Sequence, residues 1–358
     1  MIVLVFGTRP DSIKLGPVAA ELTALYSPWR AFCTGQHREL LAGTPAETDL
    51  ADATSLGLAS DGDVTRWLAK AERVLLDALP MDDDPLVVVQ GDTMSAMAAA
   101  YAAHQLHLPL AHVEAGIRSH RLTEPWPEES FRVQIDQWAD WCYAPTSTAF
   151  MNLMAEGVMP RRIRTTGNTG VSALARYSNA VPIENPGDYA VITLHRREWL
   201  LGSDFHGVLA ALEDAVADCS KMRFLWPIHP AVEAKAGRWV RRLPSNLVVM
   251  PPLPYRAATT LLAGSFGVLT DSGGLQEEAA TLGVPCAVLR NVTDRPESIE
   301  AGVARRFDVT ATGAAAAVRC LVEGGLPRRV APVFGDATAA AQIARHLASL
   351  TEREYTSV

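Results

Sequence analysis

The chain has 358 residues and a formal net charge of −8, with 48% hydrophobic and 20% charged residues. That length exceeds what one core usually spans, so two domains are expected. The acidic balance, with no run of Lys or Arg, argues against nucleic-acid and anionic-membrane partners but leaves room for a local basic pocket.

The N-terminus, MIVLVFGTRP, lacks a basic segment and a cleavage site and starts on a buried-type strand, 2–6. No apolar run reaches membrane-spanning length. The cysteines (Cys33, Cys142, Cys219, Cys286, Cys320) are widely spaced, without a Cys/His pair at metal-site spacing. Reduced thiols in a cytoplasmic protein are therefore expected.

GTRPDSIKLGPVAAEL turns out of the first strand into a helix, with Pro10 and Asp11 in its first turn. AFCTG (31–35) is a second strand and QHRELL opens another helix. Residues 43–62 are polar and irregular, and 64–78 has helical periodicity. PLVVVQGD and PLAHVEAG are strands joined by an Ala-rich helix, 94–105. Residues 135–145 run from a helix into a short strand, 150–158 form a helix, and IRTTGNT (163–169) is the last strand of this half. A second series follows: strands at 189–195, 223–229, 246–250, 266–274 and 286–290, with helices between them and at 312–323. A final helix spans 337–350. Alternating strands and helices predict two doubly wound α/β domains. The boundary lies in YSNAVPIENPGD, which is rich in turn residues.

The chemistry centres on residues 90–132. Asp92 and Glu114 follow neighbouring strands, and Glu128 follows in PWPEE. In open α/β sheets, ligands bind at the carboxyl ends of strands. Three carboxylates in one crevice can serve as acid and base. TDSGGLQEE (270–278) is the clearest anion signal. A strand meets two glycines and a helix start, so N–H groups can face a phosphate, with Ser272 adding a hydroxyl and Glu278 reaching a ribose. The same residues also read as a plain capped turn. Arg9 and Lys14 flank a helix start and are either phosphate contacts or surface cations. His195, in LHRRE, either acts on a leaving pyrophosphate or caps a helix. His229, in IHP, is similar with weaker chemistry around it.

In order along the chain, FGTRPDSIK, GQHREL, VQGDT, HVEAGIRS, PWPEESFR, GNT, LHRRE, IHP, LTDSGGLQEE and TDRPES resemble the motifs of the non-hydrolysing UDP-N-acetylglucosamine 2-epimerase family over roughly residues 1–350. The resemblance implies two Rossmann-like doubly wound domains with a central cleft, the GT-B architecture. Residues 1–172 would form the first domain and 173–340 the second, with 341–358 packing back on the first. It implies no metal and no cofactor, a UDP-sugar substrate and a homodimer. Asp92, Glu114, Glu128 and His195 fall on catalytic positions. Arg9, Lys14, Arg132, Ser272, Gly273, Gly274 and Glu278 fall on substrate-binding ones. Gln36 and His37 match a second, activating substrate site. The implied reaction is reversible C2 epimerisation, in which UDP is eliminated to 2-acetamidoglucal and added back. Alternatives are the hydrolysing version, which releases N-acetylmannosamine and UDP, a GT-B glycosyltransferase, and a sugar-nucleotide-binding regulator without turnover. One departure concerns the base: Ala258 stands where members commonly carry an aromatic ring, and Tyr255 is a candidate substitute.

Overall fold

The computed structural model describes residues 1–36, 44, 47–60, 62–81, 84–202, 204–237 and 243–352. They form two compact units, Met1–Tyr177 with Phe334–Val358, and Ser178–Val333.

The first unit runs β1 (Ile2–Phe6), α1 (Arg9–Ala24), β2 (Trp29–Cys33), β3 (Thr54–Ser55), α2 (Val64–Ala78), β4 (Leu86–Gln90), α3 (Met94–Gln105), β5 (Leu110–Val113), α4 (Glu128–Trp138), β6 (Trp141–Ala144), α5 (Ser147–Ala155), β7 (Ile163–Thr165) and α6 (Thr169–Tyr177). Its described strands pair in parallel, in the order β3-β2-β1-β4-β5-β6-β7. Alternate residues of β1 enter different cores. Val3 and Val5 join residues of α2 and α3, while Ile2, Leu4 and Phe6 join residues of α1. A parallel sheet covered on both faces needs such unbroken apolar strands.

The second unit runs β8 (Tyr189–Thr193), α7 (Arg197–Leu200), α8 (Phe205–Asp218), β9 (Arg223–Pro227), α9 (Pro230–Ala236), β10 (Leu247–Met250), α10 (Tyr255–Gly264), β11 (Gly267–Thr270), α11 (Gly273–Leu282), β12 (Cys286–Leu289), α12 (Pro296–Glu300), β13 (Ala304–Phe307) and α13 (Ala311–Val322). Its strand order is β10-β9-β8-β11-β12-β13, again parallel. Ile192, Trp226 and Leu289 share a core with Leu212 of α8 and Val318 of α13. The last helix, α14 (Ala339–Glu352), belongs to the first unit, where Ile343, Ala344 and Leu347 pack with Leu15 and Leu22 of α1.

Several boundaries differ from the sequence expectation, among them the strands expected over 189–195 and 266–274, which span Tyr189–Thr193 and Gly267–Thr270. The first crossing follows Tyr177 rather than residue 172, because Arg176 (at 2.7 Å) and Tyr177 both bond Asp49 of the first unit. The return comes at Phe334, not after residue 340, where the Phe334 carbonyl accepts the Asn168 N–H at 2.8 Å. The strand expected over 163–169 ends at Thr165. Gly167 takes a φ of +86° and Asn168 Oδ1 accepts from Gly170 N at 2.7 Å, starting α6 instead. Among the described residues, no helix is long and apolar enough to cross a membrane. Cys286 is fully buried, and burial pushes its thiol up to about 12.

In each sheet the order reverses once, between β1 and β4 and between β8 and β11. At such switch points adjacent loops leave in opposite directions and open a ligand crevice. The candidate residues cluster at these two places.

Candidate active site

In the first unit, the turn after β1 is closely packed. A Cβ on Gly7 would lie 1.9 Å from Thr34 Oγ1 and 2.1 Å from Ser95 Oγ, so only glycine fits. Thr8 caps α1, and Asp11 completes a capping box with it. Asp11 Oδ2 accepts from Gly7 N, Thr8 N and Thr93 Oγ1, each at 3.1 Å. Thr93 is in turn the cap of α3. The carboxylate of Asp11 thus ties together the loops after β1 and β4. Burial pushes it up to about 6, against the pull of these donors.

Parallel pairing of β4 with β5, Gln90 opposite Val113, sets the next two loops side by side. Glu114 is 9% exposed and has a φ of +70°, a backbone state that non-glycine residues seldom adopt. Strain of this kind concentrates at functional sites. Its Oε2 accepts from Gln90 Nε2 at 2.6 Å and from Lys14 Nζ. Lys14, read from sequence as a phosphate contact, lies buried against this acid. Arg132 of α4 bonds Asp92 and lies 3.3 Å from Glu129. Glu129 itself accepts from the N–H groups of Ser119 and His120 at 2.9 and 3.0 Å. Glu128 opens α4 and is half-buried. Arg9 is also half-buried, at the first position of α1. Asp92 thus pairs with Arg132 and Glu114 with Lys14, both at the carboxyl end of the sheet.

In the second unit, register places Thr193 opposite Thr270, and their hydroxyls bond at 2.7 Å. The two exit turns then meet. Asp271, wholly buried, accepts from His195 N and Arg196 N at 2.7 Å and from Trp199 Nε1 at 3.0 Å. His195 Nδ1 lies 3.3 Å from Asp271 Oδ1, and its ring stacks on His229 with centroids 5.6 Å apart. His229 caps α9, its Nδ1 accepting from Ala231 N at 3.2 Å.

Ser272 caps α11 by accepting from Leu275 N. Neither following glycine has a positive φ, so backbone conformation does not require them. A Cβ on Gly273 would come within 3.4 Å of the Arg295 guanidinium and 3.7 Å of Arg196 Nη2. On Gly274 it would meet nothing within 4 Å. The glycines keep the N–H end of α11 uncovered beside two guanidinium groups, an arrangement suited to an anion. Arg295 is oriented by Glu277 at 2.6 Å and Asp294 at 3.1 Å. Glu278 lies half-buried one turn into α11.

Gln36 is buried, its Oε1 accepting from Ser95 N and Oγ at 3.1 and 2.8 Å, which makes it part of the packing behind Gly7. His37 lies outside the described residues. Tyr255, the candidate substitute ring, is only 6% exposed and packs inside the second unit. Sequence reading passed over Gln90, Glu129, Asp271 and Arg295. Each adjoins or lies in one of the motifs above, but its role depends on contacts between strands, helices and loops, which spacing along the chain does not carry.

The sequence model of the UDP-N-acetylglucosamine 2-epimerase family matches residues 27–348. The chain is 33% identical over 327 residues to the UDP-N-acetylglucosamine 2-epimerase of Salmonella typhimurium, covering 85% of each protein. Among solved structures, the UDP-GlcNAc 2-epimerase from Neisseria meningitidis bound to UDP-GlcNAc superposes with a TM-score of 0.87 at 27% identity, covering 97% of this chain and 99% of that one. The Methanocaldococcus jannaschii UDP-GlcNAc 2-epimerase in complex with UDP-GlcNAc and UDP gives 0.85 at 30% identity, with coverage of 97% and 99%. With two Rossmann-like doubly wound units and a matching sequence from residue 27 to residue 348, the chain belongs to the UDP-N-acetylglucosamine 2-epimerase family.

Proposed function

We propose that this protein is a cytoplasmic, homodimeric enzyme that interconverts UDP-N-acetylglucosamine and UDP-N-acetylmannosamine without releasing free sugar. The observation that carries the reading is the set of carboxylates at the carboxyl end of the first unit's sheet. Asp92 and Glu114 each have a cationic partner, and Glu128 stands at the start of α4. A carboxylate takes the proton from C2 of the sugar. The C–H electron pair becomes the C1=C2 double bond, and the C1–O bond breaks with its pair leaving on UDP. The neutral intermediate is 2-acetamidoglucal. UDP then adds back to C1 while a second acid returns a proton to the other face of C2. Inversion requires proton traffic on both faces, hence more than one acid. We assign the diphosphate to Ser272, Gly273 and Gly274 with His195 beside it, and the ribose to Glu278. N–H donors and cations at a leaving diphosphate lower the cost of its developing charge.

The test is incubation with UDP-N-acetylglucosamine in D₂O, followed at C2 by NMR. Deuterium at C2 with UDP still attached is the expected result. Free N-acetylmannosamine plus UDP would replace the reading by the hydrolysing reaction, and an absence of exchange would sink both. Sedimentation equilibrium should show a species of twice 38.5 kDa; a monomer rejects the dimer.

A further inference from the structure

We infer that His112 and Asp136 are positioning residues for the proposed reaction, gripping the two backbone turns that carry Asp92 and Glu114. The inference rests on the proposed function for its catalytic consequence, though not for its geometry. Both side chains are wholly buried, and neither bonds a candidate acid. His112 sits in the middle of β5, and both its ring nitrogens are engaged. Nε2 donates to the Gly91 carbonyl at 2.8 Å, directly before Asp92. Nδ1 bonds Asp136 Oδ1 at 2.6 Å. Asp136 Oδ2 accepts the Gly116 N–H at 3.0 Å, two residues after Glu114. One hydrogen-bonded chain, Gly91–His112–Asp136–Gly116, thus ties the turn after β4 to the turn after β5.

The surroundings make that chain stiff. Arg118 Nη2 donates to Asp136 Oδ2 at 2.6 Å and also pairs with Glu156 at 2.6 Å. Burial alone would raise the Asp136 carboxyl, yet the His112 ring and the Arg118 guanidinium hold it below its usual range. Gly116, at a φ of +80°, has no room for a side chain, since a Cβ would fall 2.2 Å from Ala149 O. Asn152 Nδ2 fixes its carbonyl at 2.9 Å. A polar network centred on two wholly buried side chains, with each link bonded, specifies one geometry. Two acids working on one carbon need their separation held to a fraction of an ångström.

The test compares wild type with His112→Asn, His112→Gln and Asp136→Asn, which are close in size and keep a polar group. The Asn variant at 112 reaches Asp136 but not Gly91. The Gln variant extends an amide donor toward Gly91. Expected for His112→Asn are faster backbone hydrogen exchange across 91–93, kcat reduced about 10- to 100-fold, and unchanged UDP affinity by calorimetry. His112→Gln should recover part of that kcat, and Asp136→Asn should speed exchange across 114–116. The positioning role is overturned if exchange in both segments and kcat match wild type in all three. It is also overturned if kcat falls only as far as the folded fraction does. Should the wild type fail to place deuterium at C2, the functional reading falls, while hydrogen exchange still decides the positioning.

Discussion

Asp271 Oδ2 accepts the backbone N–H of His195 at 2.7 Å, while the Oδ1 of the same carboxylate lies 3.3 Å from His195 Nδ1. One buried side chain therefore holds the turn that carries the candidate histidine and sets its other oxygen beside the ring. Truncation in Asp271→Ala would strand the N–H groups of His195, Arg196 and Trp199. Each buried unsatisfied donor costs about 1–3 kcal/mol. A marked fall in melting temperature and loss of turnover are expected. An unchanged melting temperature would contradict the role.

The two glycine turns should respond in opposite ways. Gly274→Ala meets open space and sits in the first turn of α11, so the fold should be kept or stabilised by up to about 1 kcal/mol. The added methyl stands beside the N–H groups, so UDP affinity should fall. Gly7→Ala drives a Cβ to 1.9 Å from Thr34 Oγ1 and should destabilise the first unit. Thermal melts and titration calorimetry with UDP separate the cases. Full UDP affinity in Gly274→Ala would reject the anion seat.

Asp11 gives a pH signature. Its carboxyl is raised from 3.8 to about 6 by burial, so the folded chain holds a proton that the unfolded chain has released. Its contribution to stability is fully present below pH 3.8 and is lost as pH rises through about 6. The loss is at most about 3 kcal/mol, from 1.36 kcal/mol for each pKa unit. Other carboxyls such as Asp136 act in the opposite direction, so the readout is the wild-type minus Asp11→Asn difference in urea denaturation. That difference should fall across the window; a flat curve disproves the assignment.

Asp92→Asn and Glu128→Gln should each lower turnover by about 10²–10⁴, the usual scale for a general acid or base. Near-normal rates in either remove that residue from the mechanism. Lys14→Met leaves the buried Glu114 without its cation, and breaking a buried pair costs about 3–5 kcal/mol. In a double-mutant cycle with Glu114→Gln, the two losses should fall well short of additive. Simple additivity would mean that the pair does not act as a unit.

The sequence by itself determined the class of fold and placed the candidate residues at strand ends and glycine turns. Short β-branched runs such as IVLVF and LVVVQ, bounded by turn residues, read as strands covered on both faces, and the helices between them make the sheets parallel. The positions of Asp92, Glu114, Ser272 and Gly273 at strand ends and a glycine turn were legible because these are local features. What only the tertiary structure decided is which groups touch. Lys14 and Glu114 are 100 residues apart, Asp271 and His195 meet through the β8–β11 register, and His112 and Asp136 join the turns after β4 and β5. The extents of β7 and α6 likewise followed from the Gly167 turn and from Asp49, which anchors the far end of α6. Periodicity reports which face of an element is buried, but the partner across a buried contact is set by register and packing.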